Sequence, residues 1–496
     1  MFVGIFAAGL RGGASPRFLG YPPTRAARTL VGMTTEIAAP EPLDTTALDD
    51  LRTTLTGALV APGDPAWDAA RLPWNVLVDQ QPLAVVQAAD AHDVVAAVRW
   101  AAAHRVPVSA QPNGHGASRS LDGTVLVRTT ALDDIWVDAG ARVARVGAGV
   151  RWGSLQTALD GTGLTALIGS NPDVTVVGYC LGGGLSWFSR AFGSGAGSVR
   201  AAEVVDASGV HRWVRADDPA DADLLWALRG GGGDFALVTA VELDLFPAPQ
   251  IYGGLIAFPA EVAPAVFRAF AALTREAPEE LTAWAAVLHL PDAPIVPEPM
   301  RGLSLAVLLA TYLGEAEDAE RLLAPVRAAG PVLRDTFRPL APGEVGLLAE
   351  EPVDPSPAVL AGTRLHTFDD AAVDTLLARV GAGSGTPLMQ VQVRHVGGAL
   401  ARERVPSAAG TAAEPYLLSG LSIVPVPEAY GPMSGALDDL FATMAPWSTG
   451  TAPLTFLDRA EAIDRAYPPA TVERLRAVKA EVDPAGLFRS NRPVGG

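Results

Sequence analysis

Three short glycine loops are the segments of this chain best suited to hold a charged ligand: "NGHGAS" at 113–118, "LGGGLS" at 181–186 and "RGGGGDF" at 229–235. Glycine admits positive φ and lets backbone N–H groups approach a ligand closely, so together the loops could cradle a diphosphate. The first loop sets His115 between two glycines just past an apolar segment. A histidine there either caps a turn or reaches the bound group. None of the loops continues as Gly-Lys-Ser/Thr, and the chain's only lysine, Lys479, falls in the last helical segment. The stretch "GAGVRWG" also breaks the spacing G-x-G-x-x-G, so an adenine dinucleotide would have to be held outside a Rossmann fold.

The rest of the composition narrows the ligand. At 496 residues the chain is too long for one compact core. It carries 54 acidic against 37 basic residues, and the net charge of -17 repels a phosphate backbone, which argues against nucleic acid as a partner. No apolar run is long enough to span a membrane. A small molecule is the expected ligand. The single cysteine, Cys180, excludes an intramolecular disulfide framework and a cysteine zinc site, and fits a reducing cytosol.

These loops need elements to position them. Residues 1–41 read as an irregular N-terminal extension. From 42 to 249, "PLAVVQAA" and "VPVSAQ" are strands around the amphipathic helix "AHDVVAAVRWAAAHR", and "TVLVRTT", "DIWVDAG", "RVARVGAG" and "SVRAAEVVDASG" are further strands. Pro247 and Pro249 mark an exit. From 250 to 455 the strands "IYGGLIAFP", "TAWAAVLHL", "LSLAVLLATYL", "PLMQVQVRHVGG" and "YLLSGLSIVPVP" alternate with helices such as "APAVFRAFAALTREA" and "EDAERLLAPVRAAG". That pattern predicts an α+β layer, an antiparallel sheet covered by helices. Residues 456–496 are too short for a third domain and are expected to return to the first.

In order and surroundings these segments resemble the berberine bridge enzyme-like group of the vanillyl-alcohol oxidase superfamily. The resemblance runs from about Leu51 to Val494 through "APGDPAWDAARLPWN", "PVSAQPNGHGAS", "DVTVVGYCLGGGLSWFSRAFG", "LLWALRGGGGDFALVTAVELDLFP", "VQVRHVGGALAR" and "VERLRAVKAEVDPAGLFRSNRPV". It implies a two-lobed FAD-binding domain and a substrate domain whose sheet roofs the flavin. It also implies an oxidase that takes a hydride from an alcohol, carbohydrate or secondary metabolite and passes the electrons to O2, the alternatives being a flavin-containing cyclase of a natural-product pathway without the usual tyrosine base, or a flavoprotein that binds a small molecule without turnover. By the same resemblance His115 bonds FAD covalently, and the family's second bonding position falls at Asn171 rather than Cys180, so attachment is through His115 only. The FAD contacts it implies are Gln111, Pro112, Asn113, Gly114, His115, Gly116, Ala117, Ser118, Ser170, Asp173, Val174, Thr175, Gly178, Gly182, Gly183, Val238 and Asn491. Gln111, Pro112 and Asn113 stand where arginine and glycines are common in the family, and backbone donors would remain for the diphosphate. Val174 matches the position that gates oxygen.

The base is less plain. Family members carry Tyr-x-Asn-Phe or Tyr-x-Asn-Tyr before the last segment. This chain reads "PLTF", with Pro453 and Thr455 at the tyrosine and asparagine positions, and Gln392 replaces the usual Glu in "VQVRH". Proline cannot transfer a proton. Three candidates follow: Tyr179, at a position where relatives have a flavin-contacting histidine; His395, which titrates in a suitable range; and Tyr416 on a neighbouring strand. Along the strand, Gln390, Gln392 and Arg394 share one face and His395 lies on the other, so only one set can face the flavin.

Overall fold

The structure is a computed structural model and describes residues 45–292, 296, 298–457 and 463–495. The expected extension at 1–41 lies outside the described residues.

Four strands, β1 (Ala58–Val60), β2 (Ala84–Gln87), β3 (Val108–Ala110) and β4 (Val125–Arg128), form a sheet in the order β1-β2-β4-β3. β2, β4 and β3 run parallel, and the chain passes from β2 to β3 through helix Ala91–His104. That helix starts where the Asp90 carboxylate accepts from the His92 and Asp93 N–H groups, and it stops at Arg105 in the left-handed region. All four residues of β4 are buried, as a parallel strand covered on both faces requires. The histidine loop leaves the C-terminal end of β3, the edge of a parallel sheet at which ligands collect.

A second sheet has β5 (Ile135–Asp138), β6 (Val143–Gly147), β8 (Val199–Val205), β9 (His211–Arg215) and β10 (Leu237–Asp244) in the order β5-β6-β10-β8-β9, all antiparallel. β7 (Leu164–Thr165) pairs with β11 (Phe246–Pro247). Helix Val176–Leu181 and the glycine loop after it pack between this sheet and the rest of the molecule.

The remaining strands are β12 (Ile251–Pro259), β13 (Leu281–His289), β14 (Ser304–Leu313), β15 (Arg334–Asp335), β16 (Arg338–Leu340), β17 (Ala358–Leu365), β18 (Gln390–His395) and β19 (Tyr416–Ile423). They make one antiparallel sheet in the order β15-β12-β14-β13-β18-β19-β17, with β16 also on β12. Side chains alternate between its faces. One face, with Ile256, Phe258, Leu308, Val391 and Val393, packs under helices Ala263–Glu276, Asp370–Val380 and Tyr430–Thr443. On the other, Leu255, Trp284, Ala286, Val307 and Leu309 join the core of the first half of the molecule.

The last helix, Pro469–Val482, lies back on the first half and ties down the tail through its lysine. Lys479 Nζ donates to the carbonyls of Asp234 and Phe488 at 2.6 and 2.7 Å and to the Asp483 carboxylate at 2.6 Å. Asp234 accepts from the Ser490 and Val494 N–H groups, both at 2.6 Å. The tail thereby becomes a neighbour of β3, with Val108 N–H on the Leu487 carbonyl. Lys479→Met leaves the fully buried Asp483 carboxylate without its cation, and the expected loss is roughly 3 kcal/mol, measured by urea unfolding.

Candidate active site

The histidine loop is held from behind by its carbonyls. The buried Arg128 guanidinium donates to the carbonyls of Gln111 and Pro112 at 2.9 and 3.4 Å, and to those of Ala70 and Leu72. Desolvation lowers this arginine's pKa to about 10, the consequence of burying a cation whose partners are all neutral. Trp74 N–H takes the Asn113 carbonyl at 2.7 Å, and Asn75 N–H takes that of Gly114. Gly114 has φ +86°, and a Cβ there would lie 2.7 Å from the Pro73 Cβ, so no other residue fits the turn.

With the carbonyls engaged, the loop's donors are left over. Among the described residues the N–H groups of Asn113, Gly114, His115 and Gly116 meet no acceptor. Successive free N–H groups on a glycine turn form an anion-binding concavity. His115 stacks on Trp74 with ring centroids 4.3 Å apart, and its Nε2 is buried without a partner. Desolvation, with the Arg151 charge nearby, lowers the imidazole to about 3, so it is neutral with a free lone pair.

The other side chains expected around the loop are occupied by protein. Asn491 accepts from Ser118 N–H at 2.8 Å and donates to Gln111 at 2.7 Å, while Gln80 bonds Gln111, the Ser118 carbonyl and Asn491. Asn491 therefore clamps the loop to the tail. Asn113 donates to Asp173, which pairs with Arg151. Ala117, Thr175 and Val238 are buried, Val238 within the second sheet's core; Pro112, Val174, Gly182 and Gly183 are half-buried, and Gly116 and Gly178 are exposed. The third glycine loop differs from the first. Its N–H groups at Gly230, Gly231 and Gly232 bond to the carbonyls of Leu228, Ala227 and Leu181, which makes it a support for the second loop.

Between the halves, the inner face of the large sheet turns polar where it stops packing on the first half. Gln390, Gln392, Arg394 and Ser419 are all buried there, and Gln390 Oε1 and Ser419 Oγ have no partner. Trp187 from the first half stacks on Trp284 of β13 at 3.6 Å, Arg394 lies 3.8 Å over Trp284, and Phe456 closes the pile at 5.0 Å. Arg394 bonds the Gln392 side chain through Nε, and it has no carboxylate within ion-pair distance among the described residues. Burial lowers its pKa to about 10. The segment with Pro453 and Thr455 still reaches this place, for Phe456 supplies the stack and the Thr455 methyl lies against Gly182.

Of the three base candidates only Tyr179 faces this region. Its ring sits among Gly169, Gly184 and Gly195, where a Cβ would come within 3.0, 2.3 and 2.6 Å, and it meets Trp152 edge-on. Its Oη is buried without a well-formed hydrogen bond, the Ser186 hydroxyl and the Arg394 charge being nearby, and burial holds the phenol well above its ordinary pKa. Tyr416 instead bonds Thr274 at 2.8 Å among Phe270 and Phe368 on the helix-covered face. His395 is on that face too, its Nε2 accepting from Arg190 at 2.9 Å, and burial lowers it to about 3. The strand's alternation sends both away from the cavity, which corrects their selection as bases. Cys180 is a buried thiol with a raised pKa, inert rather than reactive.

A residue absent from the sequence reading belongs to the site. Glu351, in the loop before β17, stands against the Ser170 hydroxyl within the field of Arg394. Its carboxyl is enclosed by protein atoms. No periodicity or motif marks it.

A glycine turn with free donors beside a neutral histidine, in a chain whose second half is a separate antiparallel sheet, suits a bound dinucleotide. Residues 82–215 match the family described as FAD binding domain. The chain is 26% identical over 454 residues to (R)-6-hydroxynicotine oxidase of Paenarthrobacter nicotinovorans, covering 88% of this chain and 96% of that one. It is 33% identical over 202 residues to the FAD-linked oxidoreductase YvdP of Bacillus subtilis, a match spanning 40% of this chain and only 45% of that protein. The solved structure of Physcomitrella patens BBE-like 1 superposes with a TM-score of 0.78 at 20% identity, covering 90% of this chain and 99% of the other. The chain therefore carries an FAD-binding domain and shares the fold of the berberine bridge enzyme-like structures, while it spans less than half the length of the curated relatives it matches at over 30% identity. No helix among the described residues is long and apolar enough to cross a membrane.

The placement of Tyr416 is testable. Tyr416→Phe is expected to cost about 1 kcal/mol in urea unfolding for the lost Thr274 bond while leaving the rate of flavin reduction unchanged.

Proposed function

We propose that this protein is an FAD-dependent oxidase of a small alcohol, carbohydrate or secondary metabolite. The observation that carries the reading is the run of unpaired N–H donors from Asn113 to Gly116 beside the unpartnered Nε2 of His115. The donors suit a diphosphate, and a neutral imidazole with a free lone pair suits a covalent bond to the flavin ring. The names of similar proteins support the substrate class: a 6-hydroxynicotine oxidase, a chitooligosaccharide oxidase and a pollen allergen with glucose dehydrogenase activity.

Bound FAD supplies a two-electron acceptor that can pass its electrons to O2. The chain's own residues do the rest. Asn113 to Gly116 offer donors to the diphosphate, and Asn491, Gln80 and Arg128 hold that loop in shape. The stack of Trp187, Trp284, Arg394 and Phe456 forms a dry wall with one cation, and Gln390, Gln392 and Ser419 offer polar atoms to a substrate. Tyr179 serves as a donor, because its raised pKa keeps the phenol protonated.

Two measurements check this. Denatured wild-type protein is expected to keep its yellow colour, and His115→Ala to release or lack flavin; full release from wild type would exclude the covalent bond. Mixed anaerobically with glucose, a chitooligosaccharide and (R)-6-hydroxynicotine, the holoprotein is expected to bleach with at least one. Absence of bleaching with all three would count against hydride transfer from these classes.

A further inference from the structure

The proposed oxidation needs a proton acceptor, and the sequence candidates do not provide one. His395 and Tyr416 face the helix-covered side of the sheet, and Tyr179 is a phenol that burial keeps protonated. The loop that carries Glu351 is built in an unusual way. Glu350 has φ +47°, a left-handed conformation uncommon for a residue with a Cβ and shared among the described residues by Arg105 and Arg142, and a local constraint holds it. The constraint is a two-bond ion pair from Arg334 to Glu350, at 2.8 and 3.2 Å. Just beyond, Asn171 Nδ2 takes the Pro352 carbonyl at 2.9 Å, Trp74 Nε1 takes that of Val353 at 2.9 Å, and Ser356 N–H bonds the Trp74 carbonyl. The loop is therefore pinned on both sides of one residue and to the same tryptophan that stacks on His115. Strain held by surrounding contacts at one point of a loop is a mark of a functional position. The residue between these pins is Glu351, whose carboxyl is buried within the influence of Ser170 and Arg394.

We propose that Glu351 is the proton acceptor of the oxidation, presented to the site by the strained turn at Glu350, with Arg394 as a positioning residue whose charge acts on it. The assignment rests on the oxidase reading above. The Glu351 carboxylate takes the proton of a substrate O–H or N–H; the adjacent C–H hydrogen leaves with its electron pair to the oxidised flavin. The substrate loses two electrons and gains a C=O or C=N bond, and the proton on Glu351 passes to solvent. Among the described residues the groups acting on Glu351 are Ser170 from the loop before helix Val176–Leu181 and Arg394 on β18, with the Glu350–Arg334 pair on its own loop. Desolvation raises the carboxyl above its ordinary range, and Arg394 and the Ser170 hydroxyl oppose that rise. Since the base must be ionised, activity falls as pH drops through this raised pKa.

The test uses the holoprotein with Glu351→Gln and Arg394→Gln, each first checked for flavin content and thermal unfolding. With whichever of the three substrates reduces wild type, the anaerobic reduction rate is expected to rise with pH through an apparent pKa above the usual carboxylate range. Glu351→Gln should lose about 100-fold or more in rate and lose that limb, and Arg394→Gln should move the limb to higher pH. Sulfite, which adds to oxidised flavin and bleaches it, gives a readout free of turnover. Its affinity should weaken with pH more steeply in wild type than in Glu351→Gln, because ionised Glu351 repels the anion. A Glu351→Gln protein with the wild-type rate and limb, or with the wild-type sulfite profile, overturns the assignment. Wild type that no substrate reduces defeats the oxidase reading instead, and that result is separate from the sulfite comparison.

Discussion

The arrangement of the site depends on one buried cation. Arg394 leaves β18 toward the first half of the molecule, where it is buried and, among the described residues, no carboxylate pairs with it directly. A guanidinium can be kept there because its flat faces are covered by Trp284 and Phe456, and Trp187 extends the pile across the junction. The same stack joins the large sheet to the glycine-loop half, so the contact that fixes the two halves also fixes the charge between them. Tyr179 and Glu351 both feel that charge, and it opposes the rise that burial imposes on each.

The histidine loop follows a different rule. Its carbonyls are consumed by Arg128, Trp74 and Asn75, and the backbone polarity left over is all donor. Unpaired backbone donors are costly in a folded protein and are kept where a ligand satisfies them. Here the support comes from distant parts of the chain, Gln80 before the loop and Asn491 in the tail, and the tail is itself held by Lys479 and Asp234. The only lysine of the chain is thus part of the scaffold for a loop that lies far from it in sequence.

Much of the fold was legible in local pattern. "IYGGLIAFP" coincides with β12, and the strands expected at 282–290 and 303–313 fall within a residue of β13 and β14, because sheet strands packed on both faces are apolar throughout, whereas "YLLSGLSIVPVP" runs four residues past the end of β19. β17 was not legible: "AVLAGTRL" mixes a glycine and an arginine into a short apolar run, and its strand character comes from pairing with β19. The alternation along "QVQVRH" announced that Gln392 and His395 lie on opposite faces, but not which face meets the flavin-binding half. That was decided by the helices that cover Val391 and Val393.

By itself the sequence determined the α+β class, the FAD-binding domain and the place of the loop with His115, since these rest on short-range patterns of glycine, apolar spacing and motif order. The tertiary structure alone decided which polar residues meet. It turned His395 and Tyr416 into the helix-covered core, made the third glycine loop a brace, and brought Glu351 beside Arg394 although 43 residues separate them in the numbering. The physical reason is that strand alternation and glycine turns are local properties of the chain. The environment of a buried charge is set by what packs over it from elsewhere.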